Sequence, residues 1–197
     1  MNYETALLKT KRLIMKRGEK EDFFKVYEYD FSKLKNIDDV CKLVKQDTSK
    51  LEKVFKNGTN KYYTKLKKAH MFDWIVYLNE NPIGNILTTD EDLSNKSVEI
   101  SFNLHPKYWG KGFMPEALTT VIEYLYSLGY DNVICTYQDG NIRAKRVLDK
   151  LGFRAYKIIK DSFKCDSGNI IDNYKVIMTK EDWFSRTGKI IRIGNSL

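Results

Sequence analysis

Cysteine is scarce in this sequence: Cys41, Cys135 and Cys165 are odd in number, and none stands in a CxxC spacing. That argues against a disulfide framework and against a zinc site, and it fits a reducing cytoplasm. No apolar run approaches the roughly 18 residues of a membrane span, and the start, MNYETALLKTKR, lacks the apolar core of a signal peptide. A membrane partner, an exported location and a bound metal are therefore not expected. Internal repeats and low-complexity linkers are also missing. The 197 residues, 42% hydrophobic and 30% charged, are expected to form one core with decoration.

Charge, by contrast, is present in excess of one sign, with a net +8. Lysine is scattered through every segment, most densely in KYYTKLKKAH, so composition is the first reading of that charge. An anionic ligand, or a nucleic-acid or ribosome surface, is the alternative.

The hydrophobic period changes along the chain. Residues 10–16, TKRLIMK, suit a strand, and EKEDFFKVYEYDF offers acidic residues followed by a helical stripe at Phe23, Phe24 and Tyr27. Residues 37–56 repeat apolar positions at helical spacing, NGT at 57–59 breaks the pattern, and NKYYTKLKKAH reads as a further short helix. Residues 72–78 and 83–89 then read as a hairpin around NENP. After the turn EDLSNK, SVEISFNL is a strand with near alternation of Val98, Ile100, Phe102 and Leu104. A helix closed by Gly129, the strand NVICTYQ, a helix ending at Gly152 and KVIMTKEDW, a last strand running into a short end, complete a mixed α+β order.

Between strand and helix stands KYWGKGFMPEAL, with Gly110 and Gly112 two apart. The first amides of a helix have no partner within it, glycine leaves the approach to them open, and the helix dipole favours negative charge there. The segment therefore suits a pyrophosphate, although it has neither the GxGxxG of a dinucleotide fold nor the GxxxxGK[ST] of a P-loop.

Read together, EISFNLHPKYWGKGFMPEAL and NIRAKRVLDKLGF resemble the GNAT superfamily of N-acetyltransferases, and within it the branch that acetylates N-terminal alanine of ribosomal proteins (the Rim type). The R/Q-x-x-G-x-G/A signature is matched by Lys107, Gly110 and Gly112, with lysine at its first position. Tyr108 to Ala117 follow the branch's YWGKGY…EA form. Asn141, Lys150, Leu151, Gly152 and Phe153 match its second anchor, and a T-x-R-L-I start and the pair Asp182–Trp183 extend the likeness over residues 8–184. Residues 185–197 are left as a tail, disordered or an extra strand.

The resemblance implies a mixed, mostly antiparallel sheet, flanked by helices and splayed between its fourth and fifth strands, SVEISFNL and NVICTYQ. It also implies acetyl-CoA as cosubstrate. Pantetheine is expected along the backbone of Phe102, Asn103 and Leu104, with the pyrophosphate against residues 107–114, which include Lys111, Phe113 and Met114. Asn141 is expected to hold the pantetheine arm from the other side. An amine must lose a proton before it attacks, and Glu99, in the context E-I-x-F, is the candidate base. The family's usual acids are absent, for Leu148 stands where a tyrosine is common and Ala144 where this branch often has serine. Tyr137 is the first candidate to replace them and Tyr156 the second. His105, alone before a proline, reads as a turn residue.

The acceptor implied is an amine on a protein, with a possible ribosome association, or a small amine such as a polyamine or aminoglycoside; Leu148 and Ala144 in place of the usual acids leave open a CoA-binding module with little turnover. Recognition is expected from residues 30–70 and the hairpin before Met178. Tyr62, Tyr63, Trp74 and Tyr77 are slot candidates that equally suit a core. A small polycation would need carboxylates, for which Asp38, Asp39, Asp47, Glu52, Asp90, Glu91 and Asp92 are available, whereas Lys65, Lys67 and Lys68 would aid encounter with an RNA-bound protein. Monomer and homodimer both stay open.

Overall fold

The computed structural model describes residues 4–27, 72–164 and 170–188. The helices expected over residues 37–70 and the tail beyond Gly188 lie outside them, as do Tyr62 and Tyr63.

The chain opens with β1 (Leu8–Lys9) and β2 (Ile14–Lys16), an antiparallel pair. The single strand expected over residues 10–16 is interrupted because Thr10 makes a turn. Its Oγ1 accepts from the Arg12 N–H at 3.2 Å and the Leu13 N–H at 2.9 Å, taking two donors that a strand would present to a neighbour. In α1 (Lys20–Tyr27), Glu21 and Asp22 occupy the first turn, where the dipole favours them, and Phe23 and Val26 are buried.

The expected hairpin is β3 (Asp73–Leu78) and β4 (Asn81–Asp92), turned at Asn79 and Glu80. Both turn residues have positive φ, 47° and 66°, which matches the turn to the twist of the strands. β4 passes its expected end at residue 89, with a bulge between Thr88 and Asp90. Then come β5 (Ser97–Leu104), a single 3-10 turn at Pro106–Tyr108 and α2 (Phe113–Ser127). After them follow β6 (Asn132–Gln138), α3 (Ile142–Leu151), β7 (Arg154–Lys164), β8 (Ile170–Thr179) and α4 (Lys180–Thr187). No helix among the described residues is long and apolar enough to cross a membrane.

The strands lie in the order β1-β2-β3-β4-β5-β6-β8-β7. Every pairing is antiparallel except β5 with β6, which is parallel and short, joining Ser97–Ile100 to Asn132–Cys135. Beyond Ile100 and Cys135 the two strands part. Phe102 and Leu104 stay with β4, and Tyr137 stays with β8. This is the splay expected between SVEISFNL and NVICTYQ, which become the fifth and sixth strands because the first strand is a hairpin.

Alternation along the strands sorts the core. Val98, Ile100, Val133, Cys135, Val176 and Met178 point to one face, against Ala117, Leu118, Val121, Ile122 and Leu125 of α2. Each large side chain withdrawn from water in this way contributes about 1.5–3 kcal/mol. Leu148 of α3 and Trp183 of α4 extend the same core. On the opposite face Phe23 and Val26 of α1 pack on Ile75, Tyr77 and Leu87. Trp74 and Tyr77 are thus core residues and not a slot: Trp74 is 0% exposed, stacks on Phe72, and donates its indole N–H to Ala6 O at 3.0 Å.

Gly84 sets how closely β4 approaches β5, because a Cβ there would lie 2.5 Å from Asn103 O. Gly84→Ala is expected to push the outer half of β5 away at a cost of about 1–3 kcal/mol. A lower urea midpoint with an unchanged slope checks it, and an unchanged midpoint would refute it.

Candidate functional site

Past β5 the chain makes a tight turn fixed by its own side chains. His105 Nδ1 accepts from the Lys107 N–H at 3.2 Å, so His105 is the turn residue the sequence suggested. The Trp109 indole N–H donates to Leu104 O at 2.6 Å, and the Arg143 guanidinium of α3 lies 4.2 Å above the Trp109 ring. Trp109 therefore ties the end of β5, the turn and α3 together, and it occupies the Leu104 carbonyl.

Gly110 and Gly112 both adopt left-handed backbone, with φ of 73° and 76°. A Cβ on Gly110 would meet nothing within 4 Å, and one on Gly112 would meet only Arg12 Nη2 at 3.7 Å. Space is not what demands glycine here; the positive φ is. The amides of Gly110, Gly112, Phe113 and Met114 find no acceptor among the described residues, and Gly112 at the head of α2 offers no side-chain cap. Lys107 and Lys111 flank the turn, their ammonium groups 6.0 and 5.7 Å from the Tyr108 ring. Unpaired amides, a helix N-terminus and two lysines make a cradle for an anion.

The turn is braced from the N-terminus. Glu116 in the first turn of α2 accepts from the Thr10 hydroxyl, from the Arg12 N–H at 3.1 Å and from Arg12 Nε at 2.6 Å, and Arg12 Nη2 lies 2.6 Å from its Oε2. Arg12 Nη1 also donates to Lys111 O at 3.2 Å. Sequence reading kept T-x-R and E-A only as parts of a resemblance; a contact across 104 residues leaves no local pattern to read.

Asn141 caps α3, its Oδ1 accepting from the Ala144 N–H at 3.1 Å. Its side-chain NH2 has no partner among the described residues. Phe102 and Asn103 lie on the part of β5 that β6 has left, and the Asn103 Nδ2 is buried with no partner among the described residues.

Glu99 sits one residue before the strands part, on the face away from α2. Its Oε1 accepts from the Thr136 hydroxyl at 2.6 Å and its Oε2 pairs with Lys175 Nζ at 2.6 Å. It lines a cavity of about 570 Å³ together with Asp90, Glu91, Asp92, Lys157 and Lys175. Asp92 is partly spent on capping Ser94 and Asn95, and Glu91 accepts from the Tyr130 hydroxyl. Tyr137 lies on the other face, stacked on Tyr174 with ring centres 5.4 Å apart, and burial raises its phenol above the ordinary value. Glu99 and Tyr137 are thus separated by the sheet, at the point where it opens. Tyr156 is on the Glu99 side, lining the cavity, and Leu148 is core.

Residues 12–154 match the acetyltransferase (GNAT) domain family. The uncharacterized N-acetyltransferase p20 of Bacillus licheniformis is 28% identical over 117 residues, which are 59% of this chain and 65% of that relative, just under two thirds of its length. The uncharacterized N-acetyltransferase YnaD of Bacillus subtilis (strain 168) is 29% identical over 179 residues, 88% of this chain and 97% of the relative. Among solved structures, the ribosomal-protein-S5-alanine acetyltransferase of Vibrio fischeri superposes with a TM-score of 0.62 over 90% of this chain and 98% of its own, at 17% identity, a likeness of fold.

For Glu116, burial alone would raise the carboxyl, but the hydrogen bonds from Thr10 and Arg12 outweigh it and hold the group below its usual range. The stabilisation is then complete above the unfolded value of about 4.3 and is lost as pH falls through the lower folded value. Glu116→Gln is expected to cost about 1–2 kcal/mol at pH 7, with the two proteins converging as pH drops below about 4. Urea titrations between pH 3 and 7 check this; a gap that stays constant to pH 3 would contradict it.

Proposed function

The chain belongs to the acetyltransferase (GNAT) family, and we propose that it is an acetyl-CoA-dependent N-acetyltransferase acting on a primary amine, in first place the N-terminus of a protein. One observation carries this reading. β5 and β6 part after Ile100 and Cys135, with the glycine cradle at the end of β5 leading to α2 and the Glu99 cavity on the opposite face. The gap and the cradle are thus available to an anionic cosubstrate, and the carboxylate-lined face over the adjoining paired strands, which ends at Glu99, to a cationic acceptor.

The residues present suit acetyl-CoA by their own chemistry. Unpaired amides at Gly110 and from Gly112 to Met114, with Lys107 and Lys111 beside them, suit a pyrophosphate. The edge of β5 at Phe102 and Asn103, the Leu104 backbone beyond it and the side-chain NH2 of Asn141 suit the amide-bearing pantetheine arm. When bound, this cosubstrate supplies an acetyl thioester for direct transfer to the amine. Glu99 takes the proton that the amine must lose in forming the amide, directly or through water, and Tyr137, kept a phenol by burial, gives a proton to the departing thiolate from the other face.

Both oxygens of Glu99 are already engaged, so an acceptor that arrives neutral asks least of it. An α-amino group, with an ordinary pKa of about 7.7–8.0, is partly neutral near pH 7.5, whereas an alkyl amine near 10.4 is not. That supports a protein N-terminus, and the Vibrio fischeri enzyme is named for an alanine of a ribosomal protein. The second reading, a small polyamine, is favoured by the carboxylates of Asp90, Glu91 and Asp92 around the same cavity. The scarcity of cysteine and the lack of a CxxC spacing support a reducing cytoplasm.

Two measurements test the reading. Gly110→Asp combined with Gly112→Asp puts carboxylates into the cradle and is expected to abolish acetyl-CoA binding in a folded protein; unchanged calorimetric affinity would remove the cradle. Thiol release should be faster with an N-terminal Ser- or Ala-peptide than with spermidine at equal concentration. A spermidine rate tenfold above every peptide would reverse the order of the two acceptor classes.

A further inference from the structure

We propose that Arg12, locked by Glu116 and Thr10, is a positioning residue that turns the amides of the glycine turn toward the cosubstrate's pyrophosphate by binding the carbonyl of Lys111. This rests on the cradle reading given above.

The argument starts from the flexibility of the turn. Two left-handed glycines within three residues leave the Lys111 peptide units free to rotate, and glycine pays for such freedom when it is fixed. A carbonyl rotated into the cradle would oppose a phosphate as strongly as an amide favours it. Arg12 prevents that rotation. Its Nη1 holds Lys111 O at 3.2 Å, and because the peptide is planar and trans, the N–H of Gly112 then points to the opposite side, away from the guanidinium.

The guanidinium is itself fixed in place. Nε and Nη2 grip Oε2 of Glu116, each at 2.6 Å, and the plane of the group lies 4.5 Å over the Phe113 ring. Thr10, at the β1–β2 turn, donates its hydroxyl to Glu116 Oε1, and the Arg12 main-chain N–H joins it at 3.1 Å. The pair also settles a conflict of charge. Glu116 alone would place a carboxylate in the first turn of α2, where it would compete with the phosphate for the helix dipole. Arg12 neutralises it. A lysine has no planar fork and cannot hold the Lys111 carbonyl and the carboxylate at once.

The test compares acetyl-CoA with S-acetylpantetheine, which carries the same thioester without the pyrophosphate. Arg12→Ala and Arg12→Lys are expected to lower kcat/KM for acetyl-CoA about tenfold, the size of one charge-assisted hydrogen bond, and for S-acetylpantetheine by less than about twofold. Thr10→Val, the milder change, should show the same selectivity at a few-fold. Adding Glu116→Gln to Arg12→Ala should recover part of the acetyl-CoA loss by removing the uncompensated carboxylate. Equal losses with both thioesters would reduce the clamp to a structural brace, and no loss with acetyl-CoA in folded variants would refute it. If the Gly110/Gly112 double variant fails to bind acetyl-CoA while Arg12→Ala binds normally, only the clamp is wrong. If the double variant binds normally, the cradle itself is wrong.

Discussion

Four residue pairs, Ser97–Ile100 against Asn132–Cys135, join the two halves of the sheet, and the point at which this parallel pairing stops governs everything built around it. The strands do not part for lack of partners. The outer half of β5 is taken by β4, drawn close at Gly84, where only a glycine allows Asn103 O to approach. The end of β6 is taken by β8, with Tyr137 stacked on Tyr174. Each strand satisfies one edge in this way and leaves the other facing the gap. Such edges carry unpaired N–H and C=O groups, which need water or a ligand. α2 keeps the gap from becoming a break in the fold, since it packs on Val98 and Ile100 of one half and on Val133 and Cys135 of the other.

The gap also decides what each side chain near it is able to do. Period-two alternation sends Glu99 and Thr136 to one face and Tyr137 to the other. The base and the acid proposed for the reaction therefore lie on opposite faces, which suits a reaction in which one partner arrives from each side. Glu99 is held by Lys175 and Thr136, so its position is fixed before an acceptor arrives.

What the sequence made legible was local. The glycine turn, the helices closed by Gly129 and by Gly152, and the NENP hairpin each depend on residues within a few positions of one another, where spacing dictates conformation. The splay was legible only through resemblance, since no pattern within β5 or β6 says that their ends part. The misreadings were of tertiary origin. A β-favouring run at residues 10–16 is broken by the Thr10 hydroxyl, and aromatic Trp74 and Tyr77 serve the core. Thr136 and Lys175 beside Glu99, and Arg12 beside Glu116, could not be foreseen, because a side chain's partner across the sheet is set by register and not by neighbours in the chain.

Net charge illustrates the same separation of scales. The value of +8 is a sum over scattered lysines and predicts little by itself. The fold divides it. At the cradle, Arg12 and Glu116 cancel, leaving Lys107, Lys111 and the N-terminus of α2 as the local field. Across the sheet, four carboxylates stand against two lysines around the cavity, in a chain that is basic overall. Surface fields steer ligands over about a Debye length, roughly 8 Å at physiological salt, which is shorter than the ~10 Å that separate packed layers. The folded chain therefore carries two separate local fields that the net charge alone could not reveal, a basic one at the head of α2 and a carboxylate-rich one on the sheet face away from α2.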